Sequence, residues 1–194
     1  MSIVNIRTYL EKSLLINDSD WQFFTSRLKL RKVKKRTKLL NVGEVENFIS
    51  FIDKGIVRFF IPRKDQDKDK EITFGFCFSN EFVSAYDSFL TQAPSLYELE
   101  TLTDVEMWSM SYDDLQKVYQ QTSIGNALGR ISSERLYLIK SKREQSLLNE
   151  TAEERYLKLF DERPELIKAI PLKYIASYIG VTAQALSRIR RRIT

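Results

Sequence analysis

The chain has 194 residues, 43% hydrophobic and 29% charged, a composition that supports a buried core and excludes an intrinsically disordered protein. It has no histidine and a single cysteine, which excludes serine triads, Cys-His pairs, histidine-held zinc or iron, internal disulfides and cysteine-ligated clusters in their usual forms. The formal net charge of +5 is carried wholly by residues 171–194, because residues 1–170 hold 26 basic and 26 acidic side chains.

No apolar run approaches the roughly 18–20 residues that span a bilayer. The start, MSIVNIRTYLEKSL, lacks the basic-then-apolar pattern and small-residue cleavage site of a signal peptide. A cytoplasmic protein that is not an enzyme and has no membrane partner is therefore expected. Cys77, inside the apolar stretch FGFCFSN, reads as a buried, inert thiol.

Residues 1–28 are helical in pattern. Ile3, Ile6, Tyr9 and Leu10 recur at helical spacing, and Asp18, Ser19 and Asp20 offer caps for a short helix carrying Trp21, Phe24 and Leu28. The run Arg27–Lys38 has eight basic residues and reads either as a nucleic-acid patch or as a half-exposed strand. The second reading is favoured, because Leu28, Leu30 and Val33 alternate with the charges and acidic residues elsewhere balance them.

From about residue 29 to 110 the pattern is short strands and turns. ENFISFID and GIVRFFIP flank Asp53-Lys54-Gly55, a hairpin signal. EITFGFCF is a third strand, and LYELETLTDVEMWSM supplies two more with Asp104 at the break. Arg63–Lys70 carries seven charged residues of eight, as a solvated hairpin loop would. Many short strands at close spacing imply an antiparallel sandwich or roll. Phe59, Phe74, Phe76 and Phe78 read as core first and as a pocket lining second.

Helical signals return at Ser111. Ser111 and Thr151 each stand three residues before a carboxylate, Asp114 and Glu154, as in a capping box. Between them runs a proline-free segment from about Ile124 to Leu148. Ile124, Leu128, Ile131 and Leu138 form a stripe near heptad spacing, interrupted by Arg135 and Lys142. Such a stripe serves either as intramolecular core or as a dimer seam. A helix roughly 35 Å long is too extended for so small a domain to cover, which favours the seam.

The segment PLKYIASYIGVTAQALSRIRRRIT, residues 171–194, has five basic residues and no acidic one. Pro171 suits a helix start, Gly180 suits the left-handed residue that ends it, and Thr182 caps a second helix. Ile175, Ile179, Val181, Leu186 and Ile189 form the apolar set, with Ala176 small at the expected helix crossing. This is helix-turn-helix spacing. On the second helix Leu186, Ile189 and Ile193 are expected to face inward, and Ala183, Gln184, Ser187, Arg188 and Arg191 outward. Gln184 suits adenine, Arg188 suits guanine N7 and O6, and Arg190, Arg191 and Arg192 suit phosphates. Lys173 and Tyr174 are placed to touch the DNA backbone. A solvated helix face usually mixes charge signs, so duplex DNA is the expected partner.

The order of parts resembles the Crp/Fnr family of bacterial transcription regulators, and Bacteroidetes-type members in particular. The resemblance rests on FISFIDKGIVRFFI, NEFVSAYDSFLTQAPSLYELETLTD and AEERYLKLF…IPLKYIASYIGVTAQALSRIRRRI. It implies an α+β protein with three parts: a cyclic-nucleotide-binding-like antiparallel β-roll at residues 1–120, a long dimerisation helix at 121–149, and a helix-turn-helix domain at 150–194. It also implies a homodimer, a palindromic operator and contact with RNA polymerase.

Two departures accompany the resemblance. Members that bind cyclic AMP carry a Gly-Glu pair and, about ten residues later, Arg-Ser or Arg-Thr. Here the corresponding pairs are Asn80-Glu81 and Pro94-Ser95. Glu81 and Ser95 remain candidate ligand contacts, but Pro94 has neither the charge nor the donor of the missing arginine. Losing one charge-assisted hydrogen bond costs roughly 1.5–3 kcal/mol. Cyclic AMP in its usual mode is therefore disfavoured, no cofactor is expected and the effector is unknown. Members also carry a β-hairpin wing after the recognition helix; only Ile193 and Thr194 follow the arginines here, so a reduced or absent wing is expected. The competing reading is a small-ligand-binding roll that signals by protein contact.

Overall fold

The computed structural model describes residues 3–65, 68–162 and 164–193. Two helices open the chain, α1 (Val4–Leu10) and α2 (Asp18–Thr25). Asn17, rather than the aspartate after it, caps α2, accepting from the Asp20 N–H at 2.8 Å. Asp20 turns inward, where its carboxylate accepts from the Ser123 N–H and hydroxyl at 3.1 and 2.5 Å.

Eight strands follow among the described residues: β1 (Lys29–Val33), β2 (Lys38–Leu40), β3 (Phe48–Lys54), β4 (Val57–Asp65), β5 (Lys68–Cys77), β6 (Glu81–Val83), β7 (Glu98–Thr101) and β8 (Val105–Ser111). They form two four-stranded sheets, ordered β1-β8-β3-β6 and β2-β7-β4-β5. A short helix, α3 (Tyr86–Thr91), separates β6 from β7.

The turn at Asp53–Gly55 does not close the expected hairpin, because β3 and β4 lie in different sheets. A third segment satisfies the turn's main chain. Leu102 donates its N–H to the Ile56 carbonyl at 2.8 Å, and the Thr103 hydroxyl accepts from the Ile56 N–H at 3.0 Å. Gly55 permits this approach: its φ is +113°, and a Cβ would stand 2.6 Å from the Asp104 carbonyl oxygen. β4 instead neighbours β5. The charged run Arg63–Lys70, expected as a loop, is mostly strand: residues 63–65 end β4 and 68–70 begin β5, while Gln66 and Asp67 lie outside the described residues.

Period-2 alternation in β3 explains why FISFI carries apolar side chains on both faces, its one polar residue, Ser50, pairing with the Ser109 hydroxyl at 2.7 Å. Phe51 faces a core made with Ile6, Leu10, Phe24, Met110 and Val118, and the next residue, Ile52, faces a second core with Leu40, Val57, Leu99 and Met107. Helices therefore cover one face of this sheet and the second sheet covers the other. Cys77 is buried in the second core, as its apolar setting implies. Arg58 on β4 is 1% exposed and pairs with Glu100 on β7 at 2.8 Å.

The basic run on β1 behaves as a half-exposed strand. Lys32 pairs with Glu106 and Lys34 with Asp104, each at 3.2 Å, and Lys38 pairs with Glu98. Arg27 lies 3.6 Å from the centre of the Phe23 ring.

The helical half comprises α4 (Tyr112–Gln121), α5 (Gly125–Asn149), α6 (Ala152–Glu162), α7 (Pro164–Ala169), α8 (Leu172–Ile179) and α9 (Ala183–Ile193). The chain separates into two compact units, Met1–Phe59 with Phe76–Arg135, and Phe60–Gly75 with Leu136–Thr194. The expected dimer seam divides accordingly. Ile124 and Leu128, 4% and 6% exposed, belong to the core of the first unit, and Ile131 packs against it. The first turns of α5 are thus consumed internally, which corrects the expectation for Ile124 and Leu128. Leu138 is 57% exposed and lies in the second unit. Among the described residues no helix is long and apolar enough to cross a membrane.

Both expected helix caps form. The Ser111 hydroxyl accepts from the Asp114 N–H at 3.2 Å. At α6 the exchange is reciprocal: Glu154 donates its N–H to the Thr151 hydroxyl, and the Thr151 N–H donates to the Glu154 carboxylate at 2.7 Å. Thr151→Ala is expected to cost about 1 kcal/mol in chemical denaturation. Those Thr151 donors hold the Glu154 carboxyl below its ordinary pKa. A depressed carboxyl contributes stability that is present above its unfolded pKa and lost as pH falls through the folded value. The difference between wild type and Thr151→Ala is therefore expected to shrink on acidification below about pH 4.5.

Candidate nucleic-acid interface

In the second unit the last two helices meet as the spacing predicts. Ile175, Ile179 and Leu186 are 0% exposed, Ala176 is 1% and Ile189 is 6%. Pro171 stands at the N-cap of α8. Gly180 ends that helix with φ +84°, and Val181 donates its N–H back to the Ala176 carbonyl at 2.9 Å. Thr182 caps α9, its hydroxyl accepting from the Ala185 N–H at 3.2 Å. Ile193 departs from its expected inward position and is 37% exposed.

Ala183, Gln184, Arg188, Arg190 and Arg191 of α9 are all exposed. At 100° per residue Gln184, Arg188 and Arg191 fall within roughly 60° of arc, one continuous stripe. Ser187 flanks the stripe and is half-buried, its hydroxyl donating to the Ala183 carbonyl at 2.9 Å. Arg192, expected to meet phosphate, pairs with Glu153 of α6 at 2.8 Å. Lys173 is exposed, with its ammonium 4.8 Å from the centre of the half-exposed Tyr174 ring. Thr182 is exposed at the mouth of the turn. With no acidic residue between 171 and 194, the stripe presents positive charge and an amide that both donates and accepts. That set suits a polyanion whose edges carry acceptors.

In the roll, the Glu81 carboxylate is half-buried and accepts from the Phe78 N–H at 3.0 Å. Ser95 is 1% exposed, and its hydroxyl donates to the Tyr97 carbonyl at 2.8 Å. Pro94 forms an isolated bridge with Val45. Phe59, Phe74, Phe76 and Phe78 are all half-buried; Phe76 and Phe78 tilt against each other with centres 6.3 Å apart, and Lys140 lies 5.2 Å from the Phe74 ring centre.

Sequence reasoning passed over Glu46, which ties α3 to β3. Its carboxylate accepts from the Phe48 N–H at 2.9 Å and the Ala85 N–H at 3.4 Å, and its own N–H donates to the Ser88 hydroxyl at 3.0 Å. Burial pushes the Glu46 carboxyl pKa up, against the opposing pull of those main-chain donors. Also passed over were Arg143, Arg155 and Ser177 around α8. A lone Glu, Ser or Arg on an amphipathic segment carries no local signal of a long-range partner.

Residues 30–122 match the cyclic nucleotide-binding domain. The chain is 25% identical over 158 residues to the CRP-like protein Clp of Xanthomonas campestris pv. campestris, covering 81% of this chain and 65% of that protein. The chain thus spans just under two thirds of the length of that curated relative. Among solved structures, the c-di-GMP-responsive global regulator CLP of Xanthomonas campestris superposes with a TM-score of 0.66 at 20% identity, covering 91% of each chain. FixK2 from Bradyrhizobium japonicum reaches 0.70 at 15% identity, covering 86% of this chain and 84% of that one. A crp/fnr-family regulator from Eubacterium rectale reaches 0.65 at 17%, covering 92% and 83%.

Proposed function

We propose that the chain is a dimeric, sequence-specific DNA-binding transcription regulator of the Crp/Fnr type acting in the cytoplasm, its cyclic nucleotide-binding roll followed by a helix-turn-helix. The carrying observation is the exposed, acid-free stripe of Gln184, Arg188 and Arg191 on a helix seated by Ala176 and Gly180. Gln184 and Arg188 read base edges from the major groove. Arg190, Arg191, Lys173 and Tyr174 hold the backbone, with Thr182, Ala183 and Ser187 at the groove wall. Arg192 reaches phosphate by leaving Glu153.

Dimerisation uses the second half of α5, where Tyr137, Leu138, Ile139 and Leu148 are 71%, 57%, 54% and 77% exposed. Two copies related by a two-fold axis fit a palindrome with half-sites about 34 Å apart. RNA polymerase is the partner that the type implies. Residues 1–120 sense, 121–149 connect and 150–194 read DNA. The effector differs from cyclic AMP bound in the usual mode, since Pro94 offers no donor and the Ser95 hydroxyl is engaged with Tyr97.

Fluorescence anisotropy on duplexes enriched from a random pool tests the reading. Binding is expected to weaken steeply with salt, with a log–log slope of about −0.9 per phosphate contacted. Deleting residues 171–194 is expected to abolish it. A truncated chain that still binds the enriched duplex defeats the reading.

A further inference from the structure

We infer that Arg155, assisted by Arg143, is a positioning residue for DNA recognition: it locks the C-terminal end of α8 to the C-terminal end of α5 and so sets the attitude of α9. The inference rests on the DNA-binding reading and names residues that reading does not use.

A helix leaves its last four carbonyls without intrahelical partners. In α8 each of the four is accounted for. The Ala176 carbonyl accepts from Gly180 and Val181, and the Ser177 carbonyl accepts from Gly180. The remaining two are taken by arginines from outside the motif. The Arg143 guanidinium of α5 donates to the Tyr178 carbonyl, and Nε of Arg155 in α6 donates to the Ile179 carbonyl at 2.9 Å.

Arg155 does more than cap α8. Its Nη1 donates to the Ser146 carbonyl at 3.3 Å and to the Glu150 carbonyl, both at the end of α5. One planar guanidinium thus bridges two helix C-termini, whose partial negative charges favour a cation between them. Arg143 adds a stacked contact, 4.0 Å from the centre of the Tyr178 ring. The turn is fitted over this joint, since a Cβ on Gly180 would lie 3.8 Å from Nη2 of Arg155 and 4.0 Å from Leu147. On another flank the Thr73 N–H donates to the Ser177 hydroxyl at 2.9 Å, so the β4–β5 hairpin also braces α8.

The consequence is mechanical. With both ends of the joint held by one side chain, rotation of the second half of α5 carries α8, and α9 with it. Lysine keeps the charge but has no fork to span two carbonyl sets, so Arg155→Lys separates positioning from electrostatics.

The test uses the full-length chain and two probes, a duplex enriched by the wild type from a random pool and a random-sequence duplex of equal length. For Arg155→Lys the affinity for the enriched duplex is expected to fall about tenfold or more, the worth of roughly one base contact. Affinity for the random duplex should stay within about twofold, because phosphate attraction is unchanged. Amide hydrogen exchange at Val181–Leu186 should quicken while residues of the first unit keep their rates. An equal fall on both duplexes would mark a loss of folded protein and overturn the inference, as would an unchanged ratio. Arg143→Lys carries the same comparison if Arg155→Lys does not accumulate. Failure of the wild type to enrich any duplex sinks the DNA-binding reading itself, an outcome distinct from the other two.

Discussion

Replacing Gln184 and Arg188 together by alanine is expected to lower affinity for the enriched duplex by roughly 30-fold to 20,000-fold, since each well-formed base contact contributes about 1–3 kcal/mol. Both side chains are exposed on one stripe of α9, so their removal leaves the packing under them intact. The loss should therefore appear in discrimination. Binding to random duplex keeps the contributions of Arg190, Arg191 and Lys173 and should fall only by the phosphate share of Arg188. Anisotropy titrations of both duplexes at one salt concentration measure the ratio. A double variant that still separates the two as well as wild type would remove Gln184 and Arg188 from base reading. Arg188→Lys sharpens the comparison, because it retains charge while losing the two-pronged match to guanine.

The second large effect lies beneath the stripe. Leu186→Ala is expected to destabilise the second unit by roughly 3–5 kcal/mol, the range for deleting a fully enclosed leucine. Leu186 is 0% exposed, among Ile175, Ala176, Ile179 and Ile189 that are equally enclosed or nearly so. A unit confined to residues 60–75 and 136–194 has a small core with few other apolar contacts to replace what is lost, and its stability is small to begin with. Denaturation followed by hydrogen exchange should show α8 and α9 exchanging early, with β3 and β8 protected as before. DNA binding should fall on enriched and random duplexes alike, the opposite signature to the surface double variant. Unchanged exchange in α8 and α9 would mean that Leu186 does not anchor the motif.

The two variants also mark how legible the candidate site was. Spacing alone indicated the motif, because its determinants are local: Pro171 and Gly180 set backbone angles, Ala176 sets a closest approach, and Thr182 caps the helix that follows. Inward and outward residues then followed from helical geometry as far as Ile189, and failed at Ile193, which is 37% exposed in the last turn of α9. Arg192 looked like another phosphate contact, and its pairing with Glu153 emerged only once α6 was set beside α9. Arg155 was invisible for the same reason. Nothing in AEERYLKLF distinguishes an arginine bound for water from one bound for the ends of two other helices.

The strands show the same division. Apolar alternation indicated five strands, and a sixth in the basic run, because period 2 is a property of the backbone; it missed β2 and β6, which at three residues each are too short to show a period. It could not indicate which sheet each strand joined. FISFI is apolar on both faces because helices cover one and a second sheet the other, and the turn after it leads across rather than back. The stripe on α5 was ambiguous in the same way. Ile124 and Leu128 went into the core of the first unit while Leu138 stayed exposed, and a heptad pattern is identical in the two cases.

By itself, then, the amino-acid order determined the helix-turn-helix, its acid-free face, the caps at Ser111 and Thr151 and the run of short strands. These depend on dihedral preference, period and charge within a few residues. Tertiary structure alone decided the sheet pairing at Gly55, the burial of Ile124 and Leu128, the engagement of Ser95 with Tyr97, and the arginine joint between α5 and α8. Each of these depends on which distant groups compete for a carbonyl, a hydroxyl or a patch of apolar surface, and that competition is settled only when the chain is folded.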